Sequence, residues 1–251
     1  MNSFRIVTIG FVAAVAACFV GVNRAQAQEF KIQGDLVSSY VWRGFYQTGA
    51  SFQPTLGFGI GDFSLTAWGS TDFDGTSSSE GAAAKEIDLT AAYAFGESGL
   101  TLSVASLWWG GQGAAKYFNF ESHKTAHHFE AGLAYTLPVE KFPLSFAWYT
   151  MFAGADKNDK GEQNYSSYVE LNYPFSVKSV DLNATCGFLP YEDGVGVYGV
   201  PSSGFAVTNV ALKATTDIKV TDKFTIPVFA QAIWNPRMED AHLVFGITLR
   251  P

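Results

Sequence analysis

Cysteine is almost missing from the 251 residues: there are two, Cys18 and Cys186. Cys18 lies in an apolar leader-like segment, so a disulfide framework is excluded for the remainder. Basic residues are scarce too, 16 Lys and Arg against 23 Asp and Glu, and the net charge of -7 argues against a nucleic-acid partner. Beyond residue 22 no apolar run approaches the ~20 residues a spanning helix needs, and helical spacing of apolar residues is rare. Gly-x-Ser-x-Gly and His-Glu-x-x-His motifs are absent, so neither the hydrolase elbow nor the zinc-protease signature is present. The expectation is a protein that is not an enzyme, with no catalytic residue, no cofactor and no metal.

What is present begins with a leader. Residues Phe4 to Val22 are apolar, with Arg5 near the start, and Ala25-Gln26-Ala27 follows as a small-x-small cleavage signal. Residues 1–27 are expected to be a cleaved secretory signal and 28–251 a single exported domain. A rival reading makes Val15-Ala16-Ala17-Cys18 a lipobox with Cys18 lipidated. An uncleaved membrane helix is a third.

Period-two alternation recurs along the rest of the chain. Near the carboxyl end Leu243, Phe245, Ile247 and Leu249 alternate with His242, Val244, Gly246 and Thr248; near the start Phe30, Ile32, Leu36, Tyr40 and Trp42 alternate with Lys31, Gln33, Asp35, Ser39 and Arg43. The pattern predicts twelve strands, near 29–43, 51–60, 63–72, 86–96, 99–109, 127–137, 142–153, 164–174, 178–188, 205–218, 223–234 and 240–250. Turns at 61–62, 96–98, 138–141, 174–177 and 219–222 are short. The connections at 73–85, 110–126, 154–163 and 189–204 are long and rich in Gly, Ser, Asp and Asn. The fold class expected is therefore all-β: a closed antiparallel transmembrane β-barrel of about 12 strands, with short periplasmic turns and long extracellular loops. A soluble secreted sandwich is the rival. Trp42, Tyr93, Phe95, Trp108, Phe142, Trp148, Phe152, Tyr173, Phe175 and Trp234 suit interfacial girdles or the apolar face. Pro54 and Pro227 remove ladder donors and are expected at bulges or strand ends.

The segment Ser38-Ser39-Tyr40-Val41-Trp42-Arg43-Gly44-Phe45-Tyr46-Gln47-Thr48 resembles the SNYVFRGISQT opening of the Gcw_chp family of uncharacterised bacterial outer-membrane-like proteins. Gln53 to Gly59, Ala67-Trp68-Gly69-Ser70 and Glu86-Ile87-Asp88-Leu89 extend the resemblance. Phe45 and Tyr46 stand where the family has Ile-Ser. The resemblance implies a barrel and leaves its activity open.

Inward parity collects a lumen charge network: Asp35, Arg43, Glu86, Asp88, Glu130, Glu170, Asp181 and Lys213, with acids in excess. Two readings of it stay open. Either the lumen is a water-filled, cation-favouring passage, or Arg43 bridges Glu86 and Asp88 in a plug, its planar guanidinium matching two carboxylates. Trp108, Trp109, Tyr117, Tyr191 and Tyr198 are possible loop contacts for a ligand. His123, His127 and His128 read as a solvated cluster, with a surface metal site or a catalytic base as the alternative. Cys186 reads as a small lipid-facing residue. The function expected is a passive channel or uptake protein for a small solute. A closed scaffold whose loops bind a ligand or partner comes second, and a barrel enzyme dependent on a loop histidine third. Its partners would be outer-membrane lipid, the small solute and the barrel-assembly machinery.

Overall fold

A computed structural model of the chain describes residues 28–73, 84–110, 116–191, 196–198, 204–222 and 224–251. Residues 1–27, where the leader is expected and where Cys18 falls, lie outside the described residues. Fourteen strands are numbered here in chain order: β1 Gln28–Val37, β2 Tyr40–Trp42, β3 Phe45–Thr48, β4 Ser51–Ile60, β5 Phe63–Asp72, β6 Lys85–Ala94, β7 Leu100–Gly110, β8 His127–Thr136, β9 Ser145–Gly154, β10 Ser167–Val177, β11 Val180–Leu189, β12 Ala206–Thr221, β13 Phe224–Asn235 and β14 Asp240–Leu249. Twelve of them close a barrel in which every neighbour is antiparallel and β1 pairs with both β4 and β14. Closure leaves no row of bare backbone donors and acceptors at an edge.

The alternation that makes these segments strands also sorts their side chains. Along β14, Leu243, Phe245 and Leu249 are exposed while Val244 and Gly246 are buried. Along β1, β4 and β7 the outward positions carry Phe30, Ile32, Leu56, Leu102 and Val104, all exposed. The inward positions hold Asp35, Gln53, Thr55, Glu86, Glu130, Glu170 and Asn172, all buried. The barrel is therefore inverted relative to a water-soluble domain, with a greasy outer surface around a polar interior. Cys186 is exposed on that outer face, as its parity requires.

Several boundaries differ from the sequence expectation. The first strand ends at Val37 and not at 43; residues 40–48 leave the wall as a separate two-stranded hairpin, β2–β3. The turn expected at 174–177 is wall, because β10 runs to Val177 and pairs with Val180, leaving Lys178, in the left-handed region at φ 57°, and Ser179 as the turn. The β8–β9 ladder skips Phe152 between Phe129 and Glu130, and the β11–β12 ladder skips Thr208 between Gly187 and Phe188. Such bulges re-aim the side chains beside them. Pro54 sits where the β4–β5 ladder is interrupted between Phe52 and Thr55. Pro227 lies one residue before the β13–β14 ladder starts at Val228.

Candidate functional site

The hairpin turns inward and occupies the lumen at the end that carries the long loops. Its tip is a two-residue turn, Arg43 at φ 53° and Gly44 at φ 87°, closed by the pair Trp42–Phe45. Positive φ at both central residues is the turn whose twist matches a tight hairpin. Glycine takes that geometry freely, whereas arginine does so at a cost that its own contacts offset.

Those contacts are dense. Arg43 Nη1 donates to Glu130 Oε2 at 2.6 Å and Nη2 donates to Oε1 at 2.9 Å, a fork-to-fork pair. The two side chains are 3% and 8% exposed. The guanidinium carbon lies 4.5 Å from the Trp42 ring centroid, 4.6 Å from that of Tyr149 and 4.8 Å from that of Tyr168, so three aromatic faces enclose the cation. Tyr198, from the loop after β11, accepts another hydrogen bond from Nη1 and stacks on Trp42 at 5.5 Å. Burial pushes the Tyr198 hydroxyl above its ordinary range, which keeps it a neutral acceptor here.

Around this latch the rest of the hairpin is fitted to the wall. Tyr40 meets the edge of Trp68, Trp42 meets Trp109, and Tyr46 stacks on His242. Phe45 joins the buried pair Tyr168 and Leu189. Asn235 Nδ2 donates to the Gly44 carbonyl at 3.1 Å. Gly44 packs so closely against the Thr208 carbonyl that a Cβ there would stand 1.8 Å from it. Thr208 and Phe152 are bulged residues, so the wall is irregular beside both places where the tip docks, at Glu130 and at Thr208.

The loops finish the closure. Asp156, 1% exposed, accepts from Ser166 N, Ser166 Oγ and Val197 N, which fixes the segment carrying Tyr198 over the hairpin. Asp156→Ala strands those three donors and is expected to lower stability by about 2–3 kcal/mol. Release of Tyr198 from Trp42 is expected to shift the tryptophan emission to the red; emission unchanged from wild type would refute this role for Asp156.

Beside the hairpin lies a cavity of about 230 Å³ lined by Asp35, Gln53, Asp88, Glu170, Asn183, Lys213 and Gln231 among others. Its walls are pre-arranged by hydrogen bonds. Asp35 accepts from Gln33 and from Thr248 Oγ1 at 2.6 Å, and Glu170 accepts from Tyr168 at 2.9 Å and Asn172 at 2.7 Å. Lys213 Nζ lies 3.8 Å over the Phe229 ring. Glu86 stands beside Tyr40, Trp109 and Asp88, yet among the described residues no donor reaches hydrogen-bonding geometry at either of its oxygens or at Asp88 Oδ1.

The sequence expectations fare unevenly. Asp35, Arg43, Glu86, Asp88, Glu130, Glu170 and Lys213 do face the interior, but the partner of Arg43 is Glu130, not Glu86 and Asp88. Residues 40–48 leave the wall, and this carries the guanidinium across to β8. Asp181 keeps inward parity near the short-turn end, bonded to Ser176 at 2.7 Å and apart from the latch. Trp42 belongs to the interior and not to a girdle. The loop aromatics do not converge: Trp109 and Tyr198 serve the hairpin, Trp108 and Tyr117 pack together at 5.4 Å, and Tyr191 bonds to Ser167 and Tyr165. The histidines are not a solvated cluster. His123 sits in the loop at φ 63°, His128 packs on Trp109, and His127 is fully buried. Tyr149, Tyr168, Thr208 and Asn235 escaped the sequence reading. The one available signal was Arg43-Gly44 between aromatic residues, a two-residue hairpin turn hidden inside an apparent strand.

Among the described residues no group of three or more His, Cys, Asp or Glu is placed to hold a metal ion. No family model matches the chain, and no curated protein does. Among solved structures, a chain described under "Unveiling the Mechanism Behind the in-meso Crystallization of Membrane Proteins" is similar at TM-score 0.40 and 9% identity, covering 88% of this chain and 83% of that one.

Proposed function

We propose that this chain is an outer-membrane barrel, exported by a cleaved leader, whose lumen is a gated passage for small polar solutes held shut by the hairpin β2–β3. The outward apolar belt supports the membrane setting: Phe30, Ile32, Leu56, Val104, Leu212, Leu243 and Phe245 would each be costly in water and suit hydrocarbon. On this reading the end with short turns is periplasmic and insertion depends on the barrel-assembly machinery. The resemblance of residues 38–48 to the Gcw_chp opening fits the same setting.

The observation that carries the gated passage is a cavity with charged and amide groups in its walls, beside a plug latched by one ion pair. A barrel used only as a scaffold can fill its interior with apolar side chains. This one sets amides, carboxylates and a lysine among apolar side chains such as Trp68, Leu107, Ile233 and Val244 in the walls of a cavity, and closes it with a hairpin joined to the wall covalently only at its two ends. The inward carboxylates Asp35, Glu86, Asp88, Glu130 and Glu170 outnumber the buried inward base Arg43 and the cavity-lining Lys213. Cations are therefore the favoured permeants.

The test is conductance in a planar bilayer under a potassium chloride gradient, using residues 28–251 and a variant in which 40–48 is replaced by a glycine-serine linker. Wild type is expected to be silent or to open rarely. The variant is expected to give discrete, cation-selective steps. A variant shown to be inserted and yet silent would sink the passage and leave a closed scaffold.

A further inference from the structure

Outside the lumen, on the opposite face of the wall, the loop after β7 covers a second constellation. Strand parity puts Ser106 and Trp108 of β7 and His127 of β8 on the outer surface, with Trp108 directly across from His127 and Ser106 across from Phe129. A serine and a histidine are out of place there, since hydrocarbon offers them no partner. They partner each other: Ser106 Oγ lies 2.8 Å from His127 Nδ1. The second ring nitrogen, Nε2, lies 2.6 Å from the backbone carbonyl of Tyr117. A carbonyl oxygen only accepts, so Nε2 carries the hydrogen, Nδ1 of the neutral ring is the acceptor, and the serine hydroxyl donates to it. The tautomer is fixed by the loop, as a nucleophile and base pair requires of its orienting group.

The surroundings point to a ligand as well. Phe120 stacks on the imidazole at 4.4 Å, Phe129 lies parallel to it at 6.0 Å, and Tyr117 meets its edge at 5.1 Å. Phe118 and Phe120 of the same loop are 87% and 55% exposed, an apolar surface beside the dyad. Trp108, 8% exposed, has an indole Nε1 with no acceptor among the described residues. This unpartnered donor shares the outward face of β7 with Ser106.

We infer that Ser106 and His127 form a nucleophile and base for cleaving fatty-acyl esters of lipids in the outer leaflet. In the first step Ser106 Oγ bonds to the acyl carbon as its proton passes to His127 Nδ1. The imidazolium then holds both N–H groups, and Nε2–H donates to the Tyr117 carbonyl. Breaking the ester C–O bond returns that proton to the leaving alcohol. Water hydrolyses the acyl-Ser106 ester with His127 again as base, so that ester and water become fatty acid and alcohol. The inference rests on the membrane setting proposed above and is independent of whether the lumen conducts.

The test uses residues 28–251 in detergent and in vesicles. An alkyl fluorophosphonate is expected to leave an adduct on Ser106, located by mass spectrometry, that Ser106→Ala abolishes and His127→Gln reduces at least ~100-fold. Retained heat-modifiable migration shows that both variants keep the barrel. Fatty-acid release is then measured from phosphatidylethanolamine–phosphatidylglycerol vesicles and from lipopolysaccharide; release from either supports the inference and names the acyl source. A correctly folded wild type that takes no adduct at Ser106 and releases no fatty acid from either overturns it, as does labelling undiminished in His127→Gln. Because labelling in detergent needs neither a bilayer nor conduction, its failure is separate from failure of the gated passage.

Discussion

Glu130→Ala is expected to destabilise the barrel by about 3–5 kcal/mol and to turn a closed lumen into a conducting one. The magnitude is that of removing one partner from a buried ion pair, where the cost comes mainly from the charge left behind. Here the orphan is the worse of the two. Arg43 does not shed its proton in a protein, so with Glu130 gone it must stay charged among Trp42, Tyr149 and Tyr168 or withdraw to water. The three rings offset part of the desolvation but none of them accepts the two hydrogen bonds that Glu130 took at 2.6 and 2.9 Å. Withdrawal moves the tip, and the tip is the plug. The converse variant, Arg43→Met, leaves a carboxyl that one proton can neutralise and a flexible apolar side chain in the cage, so it is expected to cost less and to open the lumen less often. Urea unfolding of the reconstituted protein gives the first quantity and single-channel recording the second. Glu130→Ala with a wild-type unfolding midpoint and a silent bilayer would remove the latch from the account.

Most of the wall is legible in the alternation of residue types. The segments 51–60 and 63–72 read from the sequence coincide with β4 and β5, because polar-in, apolar-out parity over ten residues leaves little choice of register. The hairpin was illegible for the same reason. One parity carries Phe30, Ile32 and Leu36 on to Tyr40 and Trp42, with only Gly34 and Ser38 between, and nothing in that rhythm distinguishes an aromatic ring facing lipid from one packed inside the lumen. The Arg43–Glu130 partnership spans 87 positions, and Glu86, Asp88, Glu130 and Glu170 share one parity; selecting among them requires knowing that the hairpin crosses to the far wall. Proximity in sequence groups His127 with His128, although neighbours along a strand point to opposite faces. That rule alone separates a lumen histidine on Trp109 from an outer one on Ser106.

Gly44→Ala is expected to open the barrel without touching any charge, which separates the shape of the plug from its ion pair. The added Cβ would fall 1.8 Å from the Thr208 carbonyl oxygen, against roughly 3.5 Å for ordinary non-bonded contact. Neither side yields easily: the oxygen belongs to backbone at a bulge in the wall, and residue 44 is held at φ 87°, where an L side chain adds about 1–2 kcal/mol of its own. The tip must therefore retreat, and with it go the Asn235 bond to the Gly44 carbonyl and the geometry of Arg43 on Glu130. Since Gly44→Ala and Glu130→Ala would both undo one docking event, their effects on unfolding are expected to fall short of additive by about 1–3 kcal/mol. Conductance of the double variant should match that of the more open single variant. Full additivity in the unfolding cycle would mean that the tip and the latch hold independently, and the hairpin would then not act as a single gate.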